Sequence, residues 1–360
     1  MSEEKFISKN LNNITKISSF TWSSPSNIAL VKYWGKNKNQ TPKNTSISFT
    51  LNNSRTITTL EINKKNQSNN KIIFDVYYKE NKIEEFRPKI EIFFENIVKY
   101  CNYLTQYSFK IITNNTFPHS SGIASSASGM SALALCVMSL EKELDPKMDN
   151  DYFYKKASFL ARIGSGSACR SIYGGINIWG KHVDIENSTD LYSIKYPFDV
   201  CADFLDYNDA ILLVDIEAKQ VSSSAGHNLM NNHSYASKRY EIAQKNIVKL
   251  KSILSNGDLD SFVNIIEDEA MMLHALMMTS DPSYILIKPN TLKIINSIKS
   301  YRNSAKIPVC FTLDAGANVH LLYPNNAKDQ VELFIENELK KYCKNGSYIL
   351  DNVGGGPVQL

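Results

Sequence analysis

The 360-residue chain lacks the marks of several large classes of protein. No apolar run approaches the roughly 18 residues that a membrane-spanning helix needs, so we expect no membrane partner. The 40 basic and 36 acidic residues leave a net charge of only +4, which is too small and too dispersed for a nucleic-acid-binding surface. The sequence therefore favours small molecules as partners.

Cysteine, histidine and arginine each occur only six times. The cysteines form no CxxC pair and the polar start MSEEKFISKN is not a signal peptide, which predicts reduced thiols in the cytoplasm. The histidines show no HxxxH spacing, which argues against a structural zinc site. Neither a GxSxG turn nor a nucleophile with an evident base is present. So few arginines leave few candidates for gripping a carboxylate or phosphate with paired hydrogen bonds.

In composition the chain is an ordinary globular protein, with 43% apolar and 21% charged residues, and its length favours two domains. Alternating and β-rich patterns predict strands at 46–51, 56–62, 71–78, 109–113, 174–180, 210–216, 309–316, 318–324 and 347–353, with polar turns between the first three. Helical spacing predicts helices at 88–104, from Ala124 onward, and at about 152–162, 234–254, 259–278, 291–302 and 327–343.

An irregular segment at 181–208 separates two halves of the pattern. We expect a domain boundary there, which gives an N-terminal domain at 1–200 and a C-terminal domain at 201–360. Strands and helices mix without strict alternation. This order predicts an α+β fold, in which antiparallel sheet packs against helices.

The first chemical motif is the glycine- and serine-rich segment 118–127, which leads into a predicted helix. Successive backbone N–H groups and the positive end of a helix dipole make such a segment an anion cradle. The hydroxyls of Ser125 and Ser126 suit phosphate or Mg²⁺. No lysine follows the glycine, so this is not a GxxxxGK[ST] loop. On spacing alone, a linker that caps a close-packed helix explains the segment equally well.

Two further segments carry groups suited to an anion. In GSGSACRS (164–171), two hydroxyls precede Arg170, whose guanidinium can grip a carboxylate with two parallel hydrogen bonds. In NIALVKYWGK (27–36), Lys32, Tyr33 and Lys36 would meet a phosphorylated ligand if the segment lines a pocket. A flexible connection in the first case, and surface lysines beside core aromatics in the second, remain open as alternatives.

The segment FTLDAGAN (311–318) places Asp314 at the end of an apolar strand and before small residues. A carboxylate there can project into a cleft as a base or charge stabiliser, although a turn-forming aspartate fits the same pattern. The hydroxyl-rich VSSSAG (221–226) is a weaker motif, and serine-stabilised turns show it more often.

The chain resembles the diphosphomevalonate decarboxylases of the GHMP kinase superfamily, because six segments occur in the family's order between about residues 20 and 320: PSNIALVKYWGK, NTSIS, FPHSSGIASSASG, ARIGSGSACRS, VSSSAG and FTLDAGAN. The resemblance implies the two-domain GHMP kinase fold, with an N-terminal domain like domain 2 of ribosomal protein S5, a C-terminal ferredoxin-like α/β sandwich, and an active site between them. The implied reaction belongs to the mevalonate pathway. ATP phosphorylates the tertiary 3-hydroxyl of mevalonate 5-diphosphate, then phosphate and CO₂ leave to give isopentenyl diphosphate.

Residue by residue, the resemblance implies that the cradle holds ATP and Mg²⁺ through Gly122, Ala124, Ser125, Ser126 and Ala127, with Mg²⁺ at the two serines. It implies catalysis by Asp314 at the 3-hydroxyl, Arg170 on the carboxylate and Lys32 against phosphate charge. It implies substrate contacts from Asn27, Tyr33, Lys36, Ser165, Ser167, Arg170, Ser222 and Ser223, of which Asn27 would orient Arg170. A homodimer is also implied.

Departures from the family pattern leave alternatives open. Ser224 and His227 stand where relatives often have Arg and Met, which affects the pocket for the diphosphate. DAGAN in place of DAGPN removes a fixed φ after Asp314. A decarboxylase of mevalonate monophosphate, a mevalonate 3-kinase and a nucleotide sensor without catalysis are the alternatives. The presence of Asp314, Lys32 and Arg170 argues against a kinase alone, and the acid together with the cradle serines argues against a sensor.

Overall fold

The computed structural model describes residues 2–9, 18–65, 71–118, 123–216 and 221–360. Within these ranges the chain forms twelve strands and eight α-helices. The strands are β1 (Ser18–Val31), β2 (Ser46–Lys64), β3 (Ile73–Tyr78), β4 (Asn81–Lys82), β5 (Tyr107–Asn115), β6 (Ile176–Trp179), β7 (Ile194–Lys195), β8 (Asn208–Leu212), β9 (Cys310–Thr312), β10 (Val319–Tyr323), β11 (Tyr348–Asn352) and β12 (Val358–Gln359). The helices are α1 (Arg87–Ile97), α2 (Ser125–Leu144), α3 (Asn150–Gly164), α4 (Ser223–Leu229), α5 (Ala236–Asn256), α6 (Leu259–Met278), α7 (Pro289–Ala305) and α8 (Lys328–Phe334).

β1 and β2 form the centre of the first sheet. The described strands run in the order β12-β1-β2-β5-β3-β4, and β6 and β7 extend the sheet from the beginning of β2. Its neighbours are antiparallel except for β3 and β5, which are parallel. α1, α2 and α3 bury apolar side chains against this sheet in a core that includes Trp22, Phe94, Leu135 and Phe159. The predicted α+β fold is confirmed, and antiparallel pairing dominates it.

β2 passes through a segment for which the sequence predicted a turn. Residues 52–54 stay in the strand because the distant carboxylate of Asp351 accepts their N–H groups, and Thr116 Oγ1 accepts the N–H of Arg55 at 2.9 Å. Asp351 Oδ1 accepts from Asn52 and Asn53 at 2.8 Å each, and Oδ2 accepts from Ser54 at 2.7 Å. The partner strand β1 shifts register at this point, between Pro25 and Asn27. The predicted turn is wrong because a contact from far along the chain satisfies this polar stretch inside a bulged sheet.

The second sheet has the order β11-β8-β10-β9, and its described pairs are all antiparallel. α7 and α8 pack against it around a core that includes Ile294, Phe311 and Phe334. The apolar runs of β8 and β10 are buried along their whole length, which explains why they lack alternation.

Two helices are shorter than their patterns predicted. α1 ends at Ile97 rather than near residue 104, and a 3₁₀ turn at Asn102–Gln106 follows. Tyr103 in that turn donates to Glu141 Oε2 at 3.1 Å inside the core, so a tertiary contact is made where the next helical turn was expected. α8 gives way to a π turn at Ile335–Leu339.

The two sheets share a core at their junction. Ile28 and Phe49 of the first sheet belong to one cluster with Ile247 of α5 and Ile266 of α6. β12 also returns to the first sheet, where it pairs with β1. The boundary after residue 200 stays a prediction, because the later part of the chain contributes to both sheets.

The environment of the chain was also predicted from its cysteines and apolar runs. All six cysteines are free thiols, and burial raises the pKa of Cys101 and Cys169 to about 12, which makes these two thiols unreactive at neutral pH. Among the helices of the described ranges, none has both the length and the hydropathy that a membrane crossing needs.

Candidate active site

A cavity of about 850 Å³ lies at the junction of the two sheets. It gathers residues that are widely separated in the sequence. The predicted site residues that line it are Lys32, Tyr33, Lys36, Ala124, Ser126, Ala127, Ser165, Ser167, Arg170, Ser222, Ser223 and Asp314. Asn27 and Ser125 do not line it, and Gly122 lies outside the described residues.

Lys32 and Asp314 form an ion pair in the cavity wall. Lys32 directly follows β1, and Asp314 lies two residues beyond the end of β9. Lys32 Nζ and Asp314 Oδ1 are 3.0 Å apart. The side chain of Lys32 is 1% exposed and that of Asp314 is 28% exposed, so the carboxylate is the partner that a ligand can reach. The pair offers a proton acceptor with a cation beside it, an arrangement suited to a hydroxyl next to a phosphate.

Arg170 presents a buried guanidinium to the same cavity. Its Nε donates to Ser48 Oγ at 2.9 Å and to Asn27 Oδ1 at 3.4 Å, and Nη1 donates to Ser46 Oγ at 2.8 Å. Burial lowers the pKa of Arg170. No carboxylate within the described ranges lies close enough to form a salt bridge with Arg170. Neutral oxygens therefore hold this cation in place and leave its charge to an anionic ligand.

Asn27 acts on the cavity through Arg170. Its Nδ2 donates to Ser171 Oγ at 2.8 Å and to the carbonyl of Ser167 at 3.3 Å. Both residues belong to the 3₁₀ turn at Gly166–Ser171. Asn27 thus ties Arg170 to the turn that carries it, from a position behind the cavity wall.

Ser46 and Ser48 are site residues that the sequence analysis did not single out. They lie two residues apart on β2, so their side chains point to the same face of the sheet. Both are fully buried. The signal was present as two serines at strand spacing within NTSIS, but the sequence alone does not show that Arg170 lies opposite them.

The N-terminus of α2 forms another wall of the cavity. Ala124 precedes the helix with φ of +46°, a left-handed conformation that residues with a Cβ adopt infrequently. Ser126 Oγ donates to Ser165 Oγ at 3.2 Å and accepts from Lys89 Nζ. The 20-residue helix adds partial positive charge at this end. Of the two cradle serines, Ser126 is therefore the one that meets the cavity.

Lys89 of α1 is a second residue that the sequence analysis missed. Its ammonium lies beside Ser126 in the cavity wall. Desolvation at the cavity wall and the nearby charge of Lys36 lower the pKa of Lys89 to about 8, and burial lowers the pKa of Lys36. Neither lysine has a salt-bridge partner among the described side chains. A lysine on an amphipathic helix carries no sequence signal that separates a binding role from a solvated one.

Aromatic rings surround Tyr33. Its ring centroid lies 4.7 Å from that of Trp179 and 4.4 Å from that of His227. A Cβ on Gly166 would lie 2.8 Å from Tyr33 Oη, so this close approach requires glycine. Burial raises the pKa of Tyr33, which keeps its phenol protonated and able to donate a hydrogen bond.

His227 brings no positive charge to the cavity. Its Nδ1 accepts from the N–H of Gly35 at 2.9 Å, which places the ring proton on Nε2. Burial and the nearby cations Lys36 and Arg170 lower the pKa of His227 to about 3. The imidazole is therefore neutral at physiological pH.

The VSSSAG motif forms the start of the short helix α4. The serine turn that the sequence predicted there is the N-cap of this helix. Ser222 Oγ accepts from the N–H of Ala225 at 3.1 Å, which caps α4. Ser222 and Ser223 both line the cavity. Because the hydroxyl of Ser222 already serves the helix, its remaining lone pair and its proton are what a ligand meets.

The donor set fits a nucleotide-bound magnesium ion better than a metal held by the protein alone. Throughout the described ranges, no group of three or more His, Cys, Asp or Glu side chains could hold a metal ion. Mg²⁺ in nucleotide sites usually takes phosphate oxygens and waters with one or two protein oxygens. The hydroxyl of Ser126, the positive end of α2 and Lys89 together suit a phosphate chain that carries such an ion.

The two sheets and the cleft between them define a protein with the GHMP kinase fold. Residues 24–190 match the model of the diphosphomevalonate decarboxylase-like N-terminal domain, and residues 210–353 match that of the mevalonate 5-diphosphate decarboxylase C-terminal domain. The two matches together account for most of the sequence. The chain belongs to the diphosphomevalonate decarboxylase family.

Curated relatives support this assignment along nearly the whole chain. The diphosphomevalonate decarboxylase of Schizosaccharomyces pombe is 26% identical over 359 residues, which cover 96% of this chain and 88% of the relative. The phosphomevalonate decarboxylase of Haloferax volcanii is also 26% identical, over 307 residues that cover 84% of this chain and 87% of the relative. Sequence identity alone therefore does not separate the two substrates.

Solved structures agree with the fold. Mevalonate diphosphate decarboxylase from Staphylococcus aureus superimposes with a TM-score of 0.81 at 26% identity, covering 96% of this chain and 98% of the other. The structure of MDDEF in complex with MVAPP (mevalonate diphosphate), AMPPCP (an ATP analogue) and magnesium also has a TM-score of 0.81. The identity is 25%, and the match covers 96% of this chain and 99% of the other. That complex contains mevalonate diphosphate, an ATP analogue and magnesium together.

Proposed function

We propose that this protein catalyses the ATP-dependent decarboxylation of mevalonate 5-diphosphate to isopentenyl diphosphate, with release of ADP, phosphate and CO₂. The observation that carries the proposal is the Lys32–Asp314 pair, 3.0 Å apart, in one cavity with the guanidinium of Arg170. This chemistry needs a proton acceptor for a hydroxyl and a cation for a carboxylate, and the cavity offers both.

In the first half of the reaction, Asp314 accepts the proton of the 3-hydroxyl. The hydroxyl oxygen forms a bond to the γ-phosphorus of ATP while the bond from that phosphorus to the ADP oxygen breaks. Lys32 neutralises charge on the phosphoryl group as it moves. The protein does little covalent chemistry in such a step, because positioning and charge stabilisation supply most of the acceleration.

In the second half, the new phosphate leaves with the electron pair of the C3–O bond. Positive charge then grows at C3, and the electron pair of the bond to the carboxylate carbon becomes the carbon–carbon double bond as CO₂ departs. Arg170 fixes the carboxylate, and Asp314 faces the developing cation. Ser46 and Ser48 hold Arg170 in place throughout.

We place the ATP phosphates at the N-terminus of α2. Ser126, Ala124, Ala127 and Lys89 line the cavity there, and the family resemblance adds Gly122 and Ser125 to this subsite. Bound Mg²⁺ would neutralise phosphate oxygens, with the hydroxyls of Ser125 and Ser126 as its candidate protein ligands. The MDDEF complex with AMPPCP and magnesium supports the binding of ATP together with Mg²⁺.

We place the substrate's diphosphate in the adjoining part of the cavity, because Ser165 lies within hydrogen-bond distance of Ser126. Lys36 supplies charge and Tyr33 a neutral donor, and the serines that complete the subsite are Ser165, Ser167, Ser222 and Ser223. Ser224 and the neutral His227 add no cation. Recognition of the diphosphate therefore depends more on Lys36 than in relatives that have an arginine at position 224.

Decarboxylation of mevalonate 5-phosphate is the second candidate function. The similarity to the Haloferax volcanii enzyme and the absence of a cation at Ser224 favour it. The family models and the MDDEF complex with MVAPP favour the diphosphate.

Release of CO₂, ADP and phosphate from purified protein, Mg-ATP and each substrate separates the candidates. Stoichiometric CO₂ from the diphosphate, with little from the monophosphate, is the expected result. CO₂ only from the monophosphate would establish the second candidate. ADP without CO₂ would make the protein a mevalonate 3-kinase, and binding of Mg-ATP without substrate-dependent ADP would make it a sensor.

We also propose that the enzyme is a homodimer in the cytoplasm. The family resemblance supports the dimer, and the six free thiols suit a reducing compartment. Light scattering after size exclusion should give twice the 40.7 kDa of one chain. A single-chain mass at micromolar concentration would overturn the dimer.

A further inference from the structure

We propose that helix α6 positions both members of the Lys32–Asp314 pair, through Glu269 and His274. Glu269 and His274 thus act on the reaction through other residues, as positioning residues. The kinetic part of this inference rests on the proposed function. A second measurement below tests it in the free protein, so that failure of one does not imply failure of the other.

Glu269 grips the backbone of Lys32. It is fully buried, and its Oε2 accepts from the N–H of Lys32 at 2.8 Å. Arg239 donates to both carboxylate oxygens, and Asn246 Nδ2 donates to Oε1 at 2.7 Å. A carboxylate with donors on both oxygens has one orientation, so the peptide that it holds has one as well.

The carbonyl of Lys32 is held by the same cluster. Arg239 Nη2 donates to Lys32 O at 3.2 Å, and Asn44 Nδ2 donates to it at 3.0 Å. β1 ends at Val31, so Lys32 lies just past the last pairing with β2. Lys32, whose ammonium enters the site, is thus held at its backbone by side chains of α5 and α6 instead of by pairing within the sheet.

The same helix holds the backbone of Asp314. His274 is 1% exposed, and its Nε2 lies 3.1 Å from the carbonyl oxygen of Asp314. A carbonyl oxygen only accepts, so Nε2 is the donor. Glu269 and His274 are five residues apart, or about 7.5 Å along the helix. One rigid element therefore fixes the separation between base and cation from behind the cavity.

A second ion pair on α6 provides a matched control. Glu267 and Arg302 of α7 form a two-oxygen pair like that of Glu269 and Arg239. Arg302 also donates to the carbonyl of Val309 at 2.8 Å, before β9. Neither Glu267 nor Arg302 lines the cavity. This pair is more exposed than that of Glu269 and Arg239, and its loss removes a two-oxygen ion pair of the same helix without touching Lys32 or Asp314.

The kinetic test compares Glu269→Gln with Glu267→Gln. Glutamine places an NH₂ group where a carboxylate oxygen accepted, so one donor of the cluster meets another donor and Lys32 moves. We expect kcat for CO₂ release to fall roughly 10- to 100-fold in Glu269→Gln, with both KM values within about threefold of wild type, because misplacement acts mainly on the chemical step. Glu267→Gln should keep wild-type kcat. Equal kcat values in the two variants would overturn the proposal.

Hydrogen exchange at the Lys32 amide tests the same idea without turnover. In Glu269→Gln this amide should exchange roughly tenfold faster than in wild type, and in Glu267→Gln at the wild-type rate. Unchanged exchange in Glu269→Gln would overturn the grip on Lys32. A wild-type enzyme that releases no CO₂ from either substrate would refute the proposed function, while this measurement would still decide the positioning.

Three further variants separate a loss of positioning from a loss of the fold. Glu269→Leu combined with Arg239→Met removes both charges and leaves neither buried unpaired, so it should fold and still show the low kcat. His274→Gln keeps an N–H donor and His274→Phe does not. We expect the glutamine variant to recover most of the kcat that phenylalanine loses. A folded double variant with wild-type kcat, or equal kcat in the two His274 variants, would count against the proposal.

Discussion

The ammonium of Lys89 donates a hydrogen bond to the hydroxyl of Ser126 at the N-terminus of α2. These residues are on different helices and 37 positions apart in the chain. Lys89 has no salt-bridge partner among the described carboxylates, and desolvation and the charge of Lys36 lower its pKa, so an anion bound beside it would favour the charged form. Binding of an anion at Ser126 and protonation of Lys89 therefore depend on each other.

Phosphate binding should therefore take up protons near pH 8. The pKa of Lys89 is lowered to about 8 in the free protein, so about half of the molecules are uncharged there at that pH. A phosphate beside the ammonium raises that pKa, and binding then takes up to about half a proton per site at pH 8 and almost none at pH 6.5. Calorimetric titration of Mg-AMPPCP in two buffers of unlike ionisation enthalpy measures the uptake. Lys89→Met should abolish this proton uptake, and the surface variant Lys155→Met should retain it. Equal uptake in wild type and Lys89→Met would show that Lys89 is not the group that takes up the proton.

His227→Met should lower the free energy of unfolding without changing the pH dependence of kcat/KM. The substitution leaves the N–H of Gly35 without its acceptor, which costs about 1–2 kcal/mol of unfolding free energy. The pKa of His227 is about 3, so its charge is absent at every pH from 5 to 9. Urea denaturation measures the first effect and the pH dependence of kcat/KM the second. If the variant loses an ionisation between pH 5 and 8, the neutral imidazole is refuted.

Gly166→Ala should weaken substrate binding by displacing Tyr33. The added Cβ would lie 2.8 Å from Tyr33 Oη and 2.9 Å from Trp179 Cη2, closer than van der Waals contact. We expect KM for the phosphorylated substrate to rise roughly tenfold. Gly355→Ala is the control, since a Cβ there meets nothing within 4 Å. Steady-state kinetics measures KM for both variants. Equal KM values in Gly166→Ala and Gly355→Ala would exclude Tyr33 from the diphosphate subsite.

Asp314→Asn should abolish turnover while Mg-ATP binding persists. Asparagine keeps an oxygen for Lys32 but is not a base at neutral pH. We expect kcat for CO₂ release to fall by about 10² to 10⁴, the usual contribution of a positioned proton acceptor, with the Kd for Mg-ATP within about threefold of wild type. Quenched assays and calorimetry measure the two quantities. Comparable turnover in the variant would exclude Asp314 from the mechanism.

Arg170→Gln should impair both binding and chemistry. The variant loses the only charge that we assign to the substrate carboxylate, and we expect kcat/KM to fall roughly 10²- to 10³-fold with changes in both parameters. Arg170→Lys keeps the charge but not the paired geometry, so it should recover only part of this loss. Arg87→Gln, at the first residue of α1 and outside the cavity lining, serves as the control. Unchanged KM and kcat in Arg170→Gln would refute its role.

Much of the cavity lining was predictable because its charged residues lie in short motifs of fixed order. Lys32, Arg170 and Asp314 each lie in a motif whose order matches the family, and the structure brings them into one cavity. Their supports were not predictable. Glu269 and His274 sit on a helix with no motif, and they act through backbone atoms of residues far away in the sequence.

The fold was predictable where the pattern is local and long. α5, α6 and α7 begin and end within about three residues of their predicted bounds, because apolar periodicity and end signals agree there. The errors arose where a distant residue decides the local structure. Asp351 keeps residues 52–54 extended from about 300 positions away.

The carboxylate of Asp351 also determines when the first sheet can be completed during synthesis. The ribosome makes β2 about 300 residues before it makes Asp351, and β12 follows Asp351. Until these late segments emerge, the N–H groups at residues 52–54 and the outer edge of β1 lack the partners they have in the finished protein. A nascent or truncated chain that ends near residue 200 therefore exposes an unfinished strand edge, the kind of surface on which chaperones act and aggregates begin.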